Sequence, residues 1–156
     1  LKRNGLYHKA HQSHGSQIGC ISRYPILESQ TICKSTADEA VLFKIKLSNA
    51  DTLYFVVVHL KSMDISNEEK ENFKENINQL RNDSVDNSID YKGLSHLARK
   101  IARASEPRAK QADTIAQFIE ENKHRNLIVC GDFNDTPVSY TYHIFQCKII
   151  FLCSYV

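Results

Sequence analysis

What this chain of 156 residues lacks excludes several classes of function. No apolar run reaches the roughly 20 residues of a membrane-spanning helix, and the last one, Ile149 to Val156, is short. Neither sign of charge is in surplus. A formal net charge of +2 is too small to signal a polyanion partner, because nucleic-acid binders concentrate their basic residues in a stripe. The one candidate stripe, Lys92 to Lys110, carries Arg99, Lys100, Arg103, Arg108 and Lys110 against the single acid Glu106, and reads as a solvated helix face. Five cysteines are present, Cys20, Cys33, Cys130, Cys147 and Cys153, but none form Cys-x-x-Cys and no His pair sits at zinc spacing. Cys20 and Cys130 fall inside apolar stretches, where a reduced thiol behaves as a small hydrophobe, so a reducing, cytoplasmic compartment is favoured. Internal repeats and a visible domain boundary are also missing, and the length suits one domain with its own core.

What is present alternates between strand and helix signals. Ile18 to Ser22, Ala40 to Leu47, Asp51 to His59 and Asn126 to Gly131 read as strands. In the second of these, Val41, Phe43, Ile45 and Leu47 share one face and Lys44 and Lys46 the other, which predicts one solvated side. Leu53 to Val58 is almost continuously apolar, which predicts a central strand buried on both faces. Asn49-Ala50-Asp51 predicts a hairpin turn between these two. Asp64 to Leu80 predicts a helix capped by Asp64 or Ser66, with Glu68 and Glu69 in its first turn. Tyr91 to Lys123 predicts two helical pieces broken at Pro107, the second capped by Ser105 and striped with Ala109, Ala112, Ile115, Ala116 and Ile119. Leu1 to Ser16, with His8, His11 and His14, reads as a solvated loop, and Asn82 to Asp90 as a polar connection.

The chemistry concentrates in Leu127 to Tyr142. A short apolar run ends at Gly131, and Asp132 and Asn134 follow, spaced so that an extended backbone would point both the same way and Phe133 into the core. A carboxylate there is a hard oxygen ligand that suits Mg²⁺ and can orient water, while the neutral amide can meet a phosphate oxygen without repulsion. The plain alternative is a strand followed by an Asp/Asn turn.

Gly131-Asp132-Phe133-Asn134, with Thr136-Pro137 and Ser139 after it, resembles a motif of the endonuclease/exonuclease/phosphatase superfamily, which includes deoxyribonuclease I, exonuclease III, sphingomyelinases and inositol phosphatases. Thr52 to Ser62 resembles the family strand that ends in a catalytic His, here His59, and Gly19 to Ile26 is similar to its Gly-x-Ile-x-Ser-Arg/Lys-Tyr-Pro strand. The matches occur in the family's order and span about Gly15 to Tyr142. The resemblance implies an α/β (α+β) sandwich, part of a four-layered deoxyribonuclease I-like fold incomplete at both ends. Residues 1–142 would form the partial domain and 143–156 an atypical tail.

By the same resemblance, Asp132 and Asn134 would bind Mg²⁺ or Mn²⁺, and His59, Asp132 and Asn134 would be catalytic in the attack of water on a phosphodiester or phosphomonoester. The substrate would be a nucleic acid, a lipid head group or an inositol phosphate, with no protein partner evident and a monomer expected. The family also needs an early Asn and Glu and a late Asp-His pair. No acid follows Asp135, so the chain is expected to carry a half site, with weak metal affinity and doubtful activity by itself. The alternative is a noncatalytic remnant or a phosphate-binding interaction module on the same scaffold. Arg108 and Gln111 read as packing residues. Lys61, Ser62, Ser139, Tyr140 and Tyr142 read as candidates for the rim. Asn134-Asp135-Thr136 also fits a glycosylation pattern, and a glycan there would occlude the site.

Overall fold

The computed structural model describes residues 2–12, 17–34, 39–48, 50–63, 65–81, 91–148 and 152–154. A first, antiparallel sheet runs β1 (Lys2–Arg3), β2 (Leu6–Gln12) and β3 (Gln17–Ser22), in that order. The solvated loop expected before Ser16 is therefore replaced, over its described part, by strands. Asn4 and Gly5, both at positive φ (51° and 77°), make the tight turn between β1 and β2, a backbone that suits Asn-Gly because neither residue resists the left-handed region.

The second sheet holds β4 (Ile26–Lys34), β5 (Glu39–Lys46), β6 (Thr52–His59), β7 (Asn126–Asp132) and β8 (Leu152–Ser154), in chain order across the sheet. β4, β5 and β6 are antiparallel, whereas β6, β7 and β8 run parallel. A parallel neighbour needs a long crossover. The first crossover carries α1 (Asn67–Arg81) and α2 (Tyr91–Glu121), and the second carries α3 (Tyr140–Lys148). The hairpin expected between β5 and β6 forms, with Ser48 Oγ donating to Asp51 Oδ2 at 2.9 Å and accepting the Asp51 N–H at 3.1 Å; Asn49 itself lies outside the described residues.

Two apolar clusters sandwich the second sheet. On one face Ala40, Leu42, Val56, Val58 and Val129 pack with Ala112, Ile115 and Ile119 of α2, and with Phe133, Tyr142 and Phe145. On the other, Val41, Phe43 and Ile45 meet Ile18 and Cys20 of β3, with Leu53, Phe55 and Val57 at the margin. β6 contributes to both, as a central strand should. The solvated side expected for β5 is corrected: Ala40 and Leu42 are buried beneath the helices, and Lys44 is half-buried. The result is an α+β sandwich in which α2 from Arg108 onward and α3 cover a mixed sheet that packs on a smaller antiparallel one. α3 runs across position 143, and Phe145 is fully buried within 5.0 Å of Phe133, ring to ring.

Pro107 does not break α2, which runs through it as one helix of 31 residues. Pro107 is exposed, and Ser105, expected as a cap, instead donates to Ile101 O at 2.8 Å one turn back within that helix. The chain divides into two compact units, Leu1–Lys61 with Arg108–Val156, and Ser62–Pro107. Within the second unit α1 opens on a reciprocal capping box: Ser66 Oγ accepts the Glu69 N–H at 3.1 Å, and Glu69 Oε2 accepts the Ser66 N–H at 2.8 Å. Lys100 closes on the same carboxylate at 2.8 Å.

Candidate functional site

Strand register brings the chemistry together. β5 pairs with β6 so that Glu39 lies opposite His59, and β6 pairs with β7 so that His59 lies opposite Asp132. Side chains alternate along a strand, and neighbours in register share a face. Val58 and Val129 belong to the helix-covered face, so Glu39, His59 and Asp132 form a row on the opposite face, the one toward the first sheet, at the carboxyl ends of β6 and β7. Function at the carboxyl ends of parallel strands is the usual outcome in open α/β sheets.

Two features of β7 hold Asp132 there. Gly131 has φ +143°, and a Cβ on it would overlap the backbone of Val58, with the Val58 N and C atoms each at 2.7 Å. Only glycine allows this approach between the two strands. Beyond Asp132 the extended backbone stops. Asn134 has φ +49°, a left-handed conformation Asn tolerates better than most residues, so its side chain does not follow Asp132 along one strand face as an extended segment would require. Its backbone N–H donates to Asp132 Oδ1 at 2.9 Å, and its side-chain Nδ2 donates to Leu60 O at 2.9 Å. Leu60 N in turn donates to Asp132 O at 2.9 Å. The expected trio is thus brought together, His59 and Asp132 by register and Asn134 by its bond to the residue after His59. Phe133 points into the core as expected, 2% exposed.

The sequence reading missed Glu39. It is fully buried, a position a carboxylate holds only with hydrogen-bonding partners, and Thr31 Oγ1 donates to its Oε1 at 3.3 Å. The signal was an acid directly before the apolar run Ala40 to Phe43, one hairpin away from a strand-terminal His.

The helix side is equally specific. Arg108 is 1% exposed; its Nε donates to Asp135 Oδ2 at 2.9 Å and its Nη1 to Lys61 O at 2.9 Å. Gln111 Oε1 accepts the Lys61 N–H at 3.0 Å. The proposed rim residues divide: Tyr142 is buried against Phe133 at 5.8 Å, Tyr140 donates to Asp113 Oδ1 at 2.6 Å, and Ser139 Oγ accepts the Tyr142 N–H within the first turn of α3. The hydrogen bond to Asp113 raises the Tyr140 phenol, with desolvation and the carboxylate charge adding to it. In the basic stretch, Lys100 is paired with Glu69 and Arg108 with Asp135, while Arg99 and Arg103 are exposed. The glycosylation pattern meets an obstacle in the same bond network, because the Asn134 nitrogen that would carry a glycan is bonded to Leu60 O.

Among the described residues no group of three or more His, Cys, Asp and Glu is placed to hold a metal ion. No helix of the described residues is long and apolar enough to cross a membrane. Residues 2–150 match the family model described as "Endonuclease/Exonuclease/phosphatase family". No curated protein and no solved structure gave a match.

Proposed function

Because the chain belongs to the Endonuclease/Exonuclease/phosphatase family, whose members are phosphoester hydrolases in general, we propose that the row at the ends of β6 and β7 is its hydrolytic site. The supporting observation is the direct register of His59 with Asp132. His59 donates a hydrogen bond to a nonbridging phosphate oxygen as negative charge builds there. Asp132, exposed at the strand end, aligns the attacking water in line with the leaving oxygen. Asn134 steadies Asp132 through its backbone N–H, and the second N–H of its amide, which the bond to Leu60 does not use, is a donor for phosphate. Glu39 lies buried opposite His59 in the β5–β6 pairing, a carboxyl group beside the imidazole on the same strand row.

The donor set fits a divalent cation in part. Mg²⁺ is usually bound by one or two carboxylates together with water and phosphate oxygens, and Asp132 with the Asn134 carbonyl oxygen are the residues that would hold it. When bound, such an ion supplies positive charge against the phosphate oxygens. Within the family's general hydrolytic chemistry, our reading is metal-dependent cleavage of a phosphodiester or phosphomonoester, in a nucleic acid, lipid head group or inositol phosphate.

The test is hydrolysis of bis(p-nitrophenyl) phosphate and plasmid DNA with Mg²⁺ or Mn²⁺, by this chain, by its Asp132→Ala variant, and by a form extended at both ends. Metal-dependent cleavage that drops about a hundredfold to a thousandfold in Asp132→Ala supports the reading. Cleavage that survives the substitution removes Asp132 from the site. Silence from all forms, with metal-independent phosphate binding, favours a phosphate-binding module on the same scaffold.

A further inference from the structure

We propose that Arg108 is a positioning residue for this site, acting with Gln111 as a clamp that sets the separation of His59 and Asp132. The proposal rests on the hydrolytic reading of the row. Arg108 is almost wholly enclosed, and a buried guanidinium is costly unless its donors are well spent. Two of them are spent on the two loops of the site. Nε reaches Asp135, the residue after Asn134, and Nη1 reaches the carbonyl of Lys61, two residues after His59. One helical turn later on the same face, Gln111 takes the Lys61 N–H. Both backbone groups of Lys61 are therefore held by one turn of α2.

The loops are also tied to each other, through Leu60 N to Asp132 O and Asn134 Nδ2 to Leu60 O. The bonds close a ring from Arg108 through Lys61, Leu60, Asn134 and Asp135 back to Arg108. A packing residue needs no such aim. Lysine cannot replace arginine here, because an ammonium is a point charge on a flexible stem, whereas the planar fork serves two acceptors lying in different directions. Displacing a catalytic group by a fraction of an ångström is enough to slow chemistry severely, so the ring acts on turnover rather than on substrate affinity.

Amide hydrogen exchange followed by NMR tests this on the whole chain, comparing wild type, Arg108→Lys and Gln111→Met. The amides to watch are Leu60 and Asn134, which touch neither substituted side chain, with Val41 and Phe43 of β5 as the reference for global opening. The clamp predicts exchange at Leu60 and Asn134 faster by about tenfold or more relative to the β5 amides in both variants. In the same proteins kcat for bis(p-nitrophenyl) phosphate falls about tenfold to a hundredfold while KM stays within about twofold. Unchanged relative exchange at Leu60 and Asn134 overturns the proposal. Should Arg108→Lys not fold, Gln111→Met, which leaves no buried charge unpaired, decides alone. A wild-type chain without turnover would count against the hydrolytic reading, and the exchange data would still decide the clamp.

Discussion

Replacing Gly131 by alanine tests how tightly β6 and β7 are built around the site. The position has φ +143°, a region closed to residues with a Cβ at a cost of about 1–3 kcal/mol. The new methyl would also overlap the Val58 backbone, which cannot move aside like the end of a flexible side chain, and such overpacking costs about 1–3 kcal/mol more. Gly131→Ala is thus expected to lose about 2–6 kcal/mol, equivalent to a fall in Tm of roughly 4–24 °C for a domain of this size. Gly5→Ala is the control. It has φ +77° but nothing within 4 Å of the added atom, so only conformational strain of about 1–2 kcal/mol remains. Urea unfolding followed by circular dichroism measures both. A Gly131→Ala loss no larger than that of Gly5→Ala would refute the close-approach argument.

Phe145→Ala removes a fully buried ring packed on Phe133 and is expected to cost about 3–5 kcal/mol by urea unfolding; a loss under about 1 kcal/mol would show that α3 does not belong to the core. Glu69 is held down to about 2 from 4.5, first by its hydrogen bond from Lys100 and then by that from the Ser66 backbone. Its contribution to stability is therefore present above about pH 4.5 and lost as pH falls from there through about 2, so Glu69→Gln should flatten that part of the acid-unfolding curve, and identical acid limbs would contradict the pairing. Burial, with Cys130 adding to it, pushes the Cys20 thiol up. In native protein at pH 8, iodoacetamide should label Cys20 at least about tenfold more slowly than half-buried Cys33, and equal rates by mass spectrometry would be the contrary result.

The parts of the fold legible in the sequence are those where one periodicity governs. β6 reads as central because both its faces are apolar, and α1 reads from its Ser-x-x-Glu cap. β4 escaped notice because it is an edge strand whose register shifts between Ile26 and Glu28 and again between Thr31 and Cys33, so no alternation survives. The β1–β2 turn was legible in Asn4-Gly5 but lay inside a polar, histidine-rich stretch that reads as loop. Pro107 reads as a local breaker, yet the helix is continuous through it, with the proline at an exposed position.

At the site, His59 and Asp132 could be named from motifs, but their adjacency is a matter of register. Glu39 shows how sensitive that is. A turn spanning Asn49 to Asp51 is centred on residue 50 and would set Val41 opposite His59, whereas the observed pairing of Glu39 with His59 is centred one residue earlier. Arg108 and Gln111 were visible as residue types but not as ligands of Lys61 and Asp135, because those bonds join segments 27 to 50 residues apart.

The central claim is that His59 and Asp132 act on the same phosphoester, and a double-mutant cycle in metal-dependent turnover of bis(p-nitrophenyl) phosphate tests it most directly. His59→Ala and Asp132→Ala should each slow kcat about a hundredfold to a thousandfold, and the double variant should be far less impaired than the product of the two, as for groups that act as a unit. Turnover retained in either single variant, or losses that multiply in full, would contradict a shared site at the ends of β6 and β7.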